Sequence, residues 1–258
     1  MFFRNFPYTT YDYLQNGVDT RVIDLFKFVQ PKDHFLDDLS TYVYYQISEG
    51  DRPDIVSQKL YDTPEYYWTF FIINDTLRNG ISSWPLSSEE LERYLTQEYN
   101  GIVLTTAPKY IYDSDGILRD IRNSLAGRFE IGETIKGSRS NATGTLHYKD
   151  ATMGQLVLKN VQGVFNVPEL IVGQSSGDSV TTYQSFNWVD APKYYTDING
   201  RPVTDKTFIP SADSISNMGA VTHREYETDL NEQQSKIRVI KRNKILAFSE
   251  AYEDLIKR

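Results

Sequence analysis

Two twelve-residue stretches constrain the fold of this chain more than any other feature. "FEIGETIKGSRS" (Phe129–Ser140) and "FNVPELIVGQSS" (Phe165–Ser176) share the pattern Phe-x-(Ile/Val)-x-Glu-x-Ile-x-Gly-x-x-Ser at an offset of 36. Phe129, Ile131 and Ile135 alternate with polar residues, as on a half-buried strand, and Gly137 and Gly173 end the two strands. Between the copies, "GTLHYKD" and "GQLVLKNVQG" read as two more strands. The segment is therefore expected to form a small antiparallel β-barrel or sandwich of about 60 residues.

A second repeat brackets the first. "APKYIYDSDG" (Ala107–Gly116) matches "APKYYTDING" (Ala191–Gly200). Each ends in Asp-Gly or Asn-Gly, which supply the positive φ angles of a tight hairpin turn. The bracketed β-segment thus reads as an insertion.

Upstream, "TYVYYQI" reads as a strand and "EGD" as a turn. Asp51 is expected to cap a helix with Pro53 in its first turn, running to about Tyr61. Thr63 then caps a second helix, Pro64 to Asp75, that is apolar almost all round. Such a helix needs cover on several sides. Ser87 and Glu90 form a capping box for a further helix with Leu91 and Leu95 inward. Near the C-terminus "SKIRVIK" reads as a strand. Asn243 is placed as the cap of a last helix, with Ile245, Leu246, Phe248, Tyr252, Leu255 and Ile256 on one face.

Composition narrows the function. The net charge is −8, against the basic balance of a nucleic-acid or anionic-membrane binder. There is no cysteine, which excludes disulfides, thiolate metal sites and cysteine nucleophiles. "MFFRNFPY" does not read as a signal peptide, and no apolar run spans a bilayer. His34, His147 and His223 share no ligand spacing. "DSDGILRD" lacks the full calcium-loop pattern, and "GSRSNATG" lacks the Lys-Ser/Thr ending of a phosphate loop. Glu89-Glu90 and Glu49/Asp51 are better explained by helix starts than as a glycosidase pair. No cofactor, metal or catalytic set is expected. The aromatic excess, 19 Tyr, 13 Phe and 3 Trp, favours work done at interfaces.

The order strand, two helices, return segment over residues 41–86 resembles a LysM module. The matching residues are "YVYYQI", Gly50-Asp51, Ile55, Leu60-Tyr61, Trp68, Ile72 and Asn74, with "GISSWPL" in the return position. With the aromatic "FFRNFPY" and the C-terminal "YETDLNEQQSKIRVIKRNKILAFSEAYEDLIK", the chain resembles the LysM-like wedge subunit of contractile-tailed (T-even-type) bacteriophage baseplates over 1–116 and 191–258. That resemblance implies a non-enzymatic virion protein, made in the host cytoplasm. Its partners would be other wedge proteins in six-fold array, with the hub as a further contact. The rival implication is a LysM protein that binds N-acetylglucosamine chains of peptidoglycan. The altered return segment disfavours glycan binding.

The expected fold is α+β. It comprises an arm at 1–40, a LysM-like βααβ module plus following helix at 41–100 and a hairpin at 101–120. An inserted small antiparallel β-barrel at 121–190 follows, then a hairpin, linker and C-terminal strand and helix at 191–258. The partner-facing residues are expected to be Phe2, Phe3, Phe6 and Tyr8 in the arm, Trp68, Phe71 and Trp84 in the module, and Leu230, Phe248, Tyr252 and Leu255 in the tail.

Overall fold

The computed structural model describes residues 6–24, 40–106, 110–112, 118–120, 125, 127–151, 153–196, 199–202 and 219–257. Phe2, Phe3, His34 and the "DSDG" turn lie outside them. The chain forms two compact units, Met1–Glu89 with Leu230–Arg258, and Glu90–Asp229. The first holds β1 (Tyr8–Tyr11), β2 (Thr20–Ile23), β3 (Tyr42–Gln46), α1 (Pro53–Tyr61), α2 (Trp68–Ile73), β14 (Lys236–Ile240) and α5 (Ile245–Lys257). The second holds β4 (Ile102–Thr106), β5 (Tyr110–Tyr112), β6 (Leu118–Asp120), β7 (Thr134–Gly137), β8 (Thr143–Asp150), β9 (Gln155–Gln162), β10 (Glu169–Gly173), β11 (Ser179–Asn187), β12 (Pro192–Thr196) and β13 (Gly219–Thr222). The chain leaves the first unit along α3 (Ser88–Glu98) and returns along α4 (His223–Ser235).

In the first unit, Gly50 at φ +77° turns the chain after β3, with Asp51 N–H donating to Ser48 O at 3.0 Å. Pro53 opens α1 and Asp62, left-handed at φ +61°, closes it. The N-cap is Arg52 and not Asp51; the Asp51 carboxylate instead accepts from Lys59 Nζ at 2.5 Å. The next helix is broken. Pro64–Tyr66 is a 3₁₀ turn capped by Thr63, and α2 follows. Ser57 staples the junction, donating to Thr63 O at 2.8 Å and accepting from Tyr66 N–H at 3.2 Å.

The chain itself covers the all-apolar α2. The Trp68 ring lies 5.2 Å from that of Tyr252 and 6.4 Å from that of Phe248, both on α5. Phe70 sits between Tyr61 and Trp84 at 6.3 and 6.1 Å, and the Tyr61 hydroxyl donates to Ile240 O at 2.9 Å. With Ile73, Leu77, Ile237 and Val239 these rings form one core. Each large side chain buried there contributes about 2 to 3 kcal/mol.

The return strand is corrected. Gly80–Ser83, inside "GISSWPL", is a 3₁₀ turn, and the strand antiparallel to β3 is β14, with Tyr44 opposite Arg238. β14 buries Ile237, Val239 and Ile240, whereas Ile81 is exposed, so only the distant segment completes the core. The last helix is also adjusted. Phe248 N–H donates to Lys244 O at 3.0 Å, which makes Lys244, not Asn243, its N-cap. Ile245, Phe248, Tyr252 and Ile256 are buried. Leu246, one 100° step away from Ile245, is 60% exposed.

In the second unit six strands close a barrel in the order β4-β9-β8-β7-β10-β11, all antiparallel. Its sixth strand, β4, comes from outside the 121–190 segment. Ile131 is exposed and Phe129 holds φ +56°, so the regular strand begins only at Thr134.

The repeat appears as an internal two-fold. β7 and β10 pair with Ile135 opposite Gly173 and Gly137 opposite Ile171. Across this axis the two repeated glutamates clamp each other's turns. Glu133 accepts from the backbone N–H of Ser175 and Ser176, both at 3.1 Å, and from Ser176 Oγ at 2.9 Å. Glu169 accepts from Arg139 N–H at 3.2 Å, Ser140 N–H at 3.1 Å and Ser140 Oγ at 2.9 Å. Each also accepts from a nearby N–H, of Glu130 or Asn166, at 2.7 Å. The glycines are required by the clamp. A Cβ on Gly137 would meet Glu169 Oε2 at 2.7 Å, and one on Gly173 would meet Glu133 Oε2 at 2.5 Å. Every repeated residue of the pattern from Glu onward is thus a part of the clamp or of the barrel core.

Candidate interaction surface

The expected partner-facing residues divide by burial. Phe6, Trp68, Trp84, Phe248 and Tyr252 are buried in the core of the first unit, where their rings serve the fold. Trp84 Nε1–H also donates to Asp51 O at 2.7 Å. Phe71, Leu230 and Leu255 are half-buried. Tyr8 is 57% exposed, with the Arg21 guanidinium 4.1 Å from its ring centroid.

Tyr8 belongs to an exposed hairpin. β1 and β2 pair antiparallel from Tyr8–Ile23 to Tyr11–Thr20, and all eight residues are exposed. Asp12 shapes the connection by accepting from Gly17 N–H at 2.7 Å and Asn16 N–H at 3.1 Å. Two strands alone are marginal in water, so such a hairpin gains from a further surface.

The β3–β14 sheet has two unlike edges. On β14 the buried Asn74 amide takes the place of a strand. Its Oδ1 accepts from Arg238 N–H at 2.8 Å and its Nδ2 donates to Arg238 O at 2.9 Å. The backbone N–H and C=O of Arg238 therefore point away from β3. The flanking bonds Ile47 N–H to Ser235 O and Lys241 N–H to Thr41 O, both 2.9 Å, fix the same alternation. By that alternation Val43 and Tyr45 bond inward to β14, and Tyr42, Tyr44 and Gln46 turn their N–H and C=O outward. Among the described residues no strand lies beyond β3. Tyr44 is 76% exposed and Val43 44%. Sequence reasoning placed this strand but singled out neither residue. The available signal was "TYVYYQI" itself, a β-prone run with no Lys, Glu, Asp or Pro to guard an edge.

Of the polar groups weighed as chemistry, the Glu49 and Asp51 carboxylates have structural partners. Glu49 Oε1 accepts from Ser88 N–H at 2.7 Å, and its bonds with Ser88 hold its carboxyl below the usual range. In the second unit Tyr99 donates to Glu227 at 2.7 Å; burial and this carboxylate both push the phenol pKa up. Lys193 Nζ lies 3.2 Å from the centroid of Tyr226, and burial lowers its pKa against the pull of Glu227. His223 stacks near Tyr99, at 4.7 Å between centroids, and its buried Nδ1 has no hydrogen-bond partner. Burial, aided by Lys193, lowers its pKa to about 4. Among the described residues no His, Asp and Glu cluster is arranged to hold a metal, and no helix is long and apolar enough to cross a membrane.

The chain matches no family model and no curated protein.

Proposed function

We propose that this protein is a structural subunit of a contractile-tail baseplate, a wedge component that joins neighbouring proteins through its first unit. The observation that carries this reading is the strand–helix–helix–strand order of β3, α1, α2 and β14, which parallels that of a LysM module, in the part of the chain that resembles the T-even-type wedge subunit. Two open sheets in the same unit, the β1–β2 hairpin and the β3 edge, offer backbone and aromatic surface to a partner. The module acts as an adaptor, its core filled by α5. The closed barrel is a rigid attachment with no strand left to pair.

Co-sedimentation with insoluble peptidoglycan over a range of salt, run beside co-purification with the tail structural proteins of the same source, tests the proposal. The expected result is co-purification in an assembly and no retention by peptidoglycan. Saturable sedimentation competed by chitin oligosaccharides, without co-purification, would replace the adaptor reading with a cell-wall one.

A further inference from the structure

We propose that the outer edge of β3, which no strand among the described residues pairs, is a self-pairing surface, on which two copies of this chain join antiparallel with Tyr44 on the two-fold axis. The hydrogen-bonding groups set this register. Outward groups occur at Tyr42, Tyr44 and Gln46. Placing Tyr44 opposite Tyr44 matches 42 with 46, 44 with 44 and 46 with 42, about six bonds across the seam. A slip by one pairing step in either direction loses two of them.

The side chains agree with the register. Val43 shares a face with Ile47 and Tyr45, beside the buried Ile237 and Val239, yet remains exposed because it stands at the edge. In the dimer it faces Tyr45 of the second copy, a β-branched–aromatic pair of the kind that stabilises sheets. On the opposite face Tyr44 meets Tyr44 and Tyr42 meets Gln46. No charged residue lies in β3, so the two-fold brings no like charges together on the strand, despite the net charge of −8 on each chain. The other edge of the sheet is closed to this use by Asn74. The result is one four-stranded sheet, β14-β3-β3-β14, with an isologous interface.

Single cysteines test the register, because the chain has none of its own. In a bonded antiparallel pair the Cα atoms stand about 5.5 Å apart, within disulfide reach. Tyr44→Cys is therefore expected to give a disulfide-linked dimer, twice 29.8 kDa, under mild oxidation. In Tyr42→Cys the two sulfurs sit four residues apart along the seam, about 13 Å, and no disulfide-linked dimer forms. Tyr44→Pro removes an outward N–H and a ring 5.9 Å from that of Tyr42, and leaves the inward β3–β14 bonds of Val43 and Tyr45 in place. It is expected to turn a sedimentation-equilibrium dimer into a monomer, with a melting temperature close to that of the wild type at low protein concentration, where both are monomers. A wild-type monomer at all concentrations, or equal crosslinking at 42 and 44, overturns the proposal. A monomer that still co-purifies with tail proteins assigns the edge to a different chain and leaves the adaptor reading standing.

Discussion

In the barrel each of six strands has a bonded neighbour on both sides, and the two repeated halves lock each other through Glu133 and Glu169. In the other unit two separate two-stranded sheets have edges that no strand among the described residues pairs, and on one of these the Asn74 side chain takes the strand's place. The first arrangement satisfies its backbone from within. The second depends on tertiary cover for its inner face and leaves hydrogen-bonding groups outward on β3. Closure therefore marks the part that is finished alone, and the unguarded edge marks the part that works by docking.

The largest expected effect is in the open unit. Trp68→Ala removes the ring between α2 and α5 and should cost about 4 kcal/mol. In calorimetry its transition should fall sharply while the barrel transition stays in place; a common fall of both would show that the units do not melt independently. Next come the clamps. Glu133→Ala and Glu169→Ala each strand buried donors on the opposite half, at about 3 kcal/mol apiece. The two-fold account requires the two losses to be similar in denaturant melts, and a large inequality would break it. Asn74→Ala should cost about 2 kcal/mol, since it exposes the N–H and C=O of Arg238 and the Phe70 carbonyl that Asn74 serves at 2.9 Å. Denaturant melts read the loss; the Tyr61 hydroxyl still occupies Ile240 O at 2.9 Å, so that edge stays closed and self-association should not rise.

The smallest effect is a pH dependence in the second unit. His223 binds its proton less readily when folded, near pH 4 against an ordinary 6.5. Its contribution is fully present above pH 6.5 and lost as the pH falls towards 4, because the unfolded chain binds the proton first. Asp150 acts on it with opposite sign to Lys193 and softens the slope. Burial raises the pKa of Glu133 and Glu169, but the Ser176 and Ser140 bonds outweigh it, and both carboxyls remain below their usual range. Their contribution is present above the ordinary carboxyl value of 4.5 and is lost as the pH falls below it. A His223→Gln variant should flatten the melting-temperature profile between pH 6.5 and 4.5 and leave the steeper acid limb intact.

The barrel was legible because its signal was local and doubled: Glu, Ile, Gly and Ser recur at fixed spacing, with Glu, Gly and Ser building the clamp and Ile the core. β4 was not, since "IVLTT" carries no copy of the pattern and joins by pairing between β9 and β11, with Val103 between Val157 and Phe186. The helices of the first unit could be read from Pro53, Thr63 and Pro64. The return strand could not, because nothing near Trp84 announces that the partner of β3 arrives at residue 236. Large aromatics misdirected the search for a surface. Trp68, Trp84 and Phe248 fill the core, and the exposed strand positions, Val43 and Tyr44, are set by backbone direction, which composition does not carry.

Amide hydrogen exchange of the full chain at low and high protein concentration tests most directly whether docking belongs to the open edge. Protection is expected to rise at Tyr42, Tyr44 and Gln46, with the barrel strands β7 to β11 unchanged. Unchanged exchange at those three amides, or a rise confined to the barrel, would contradict it.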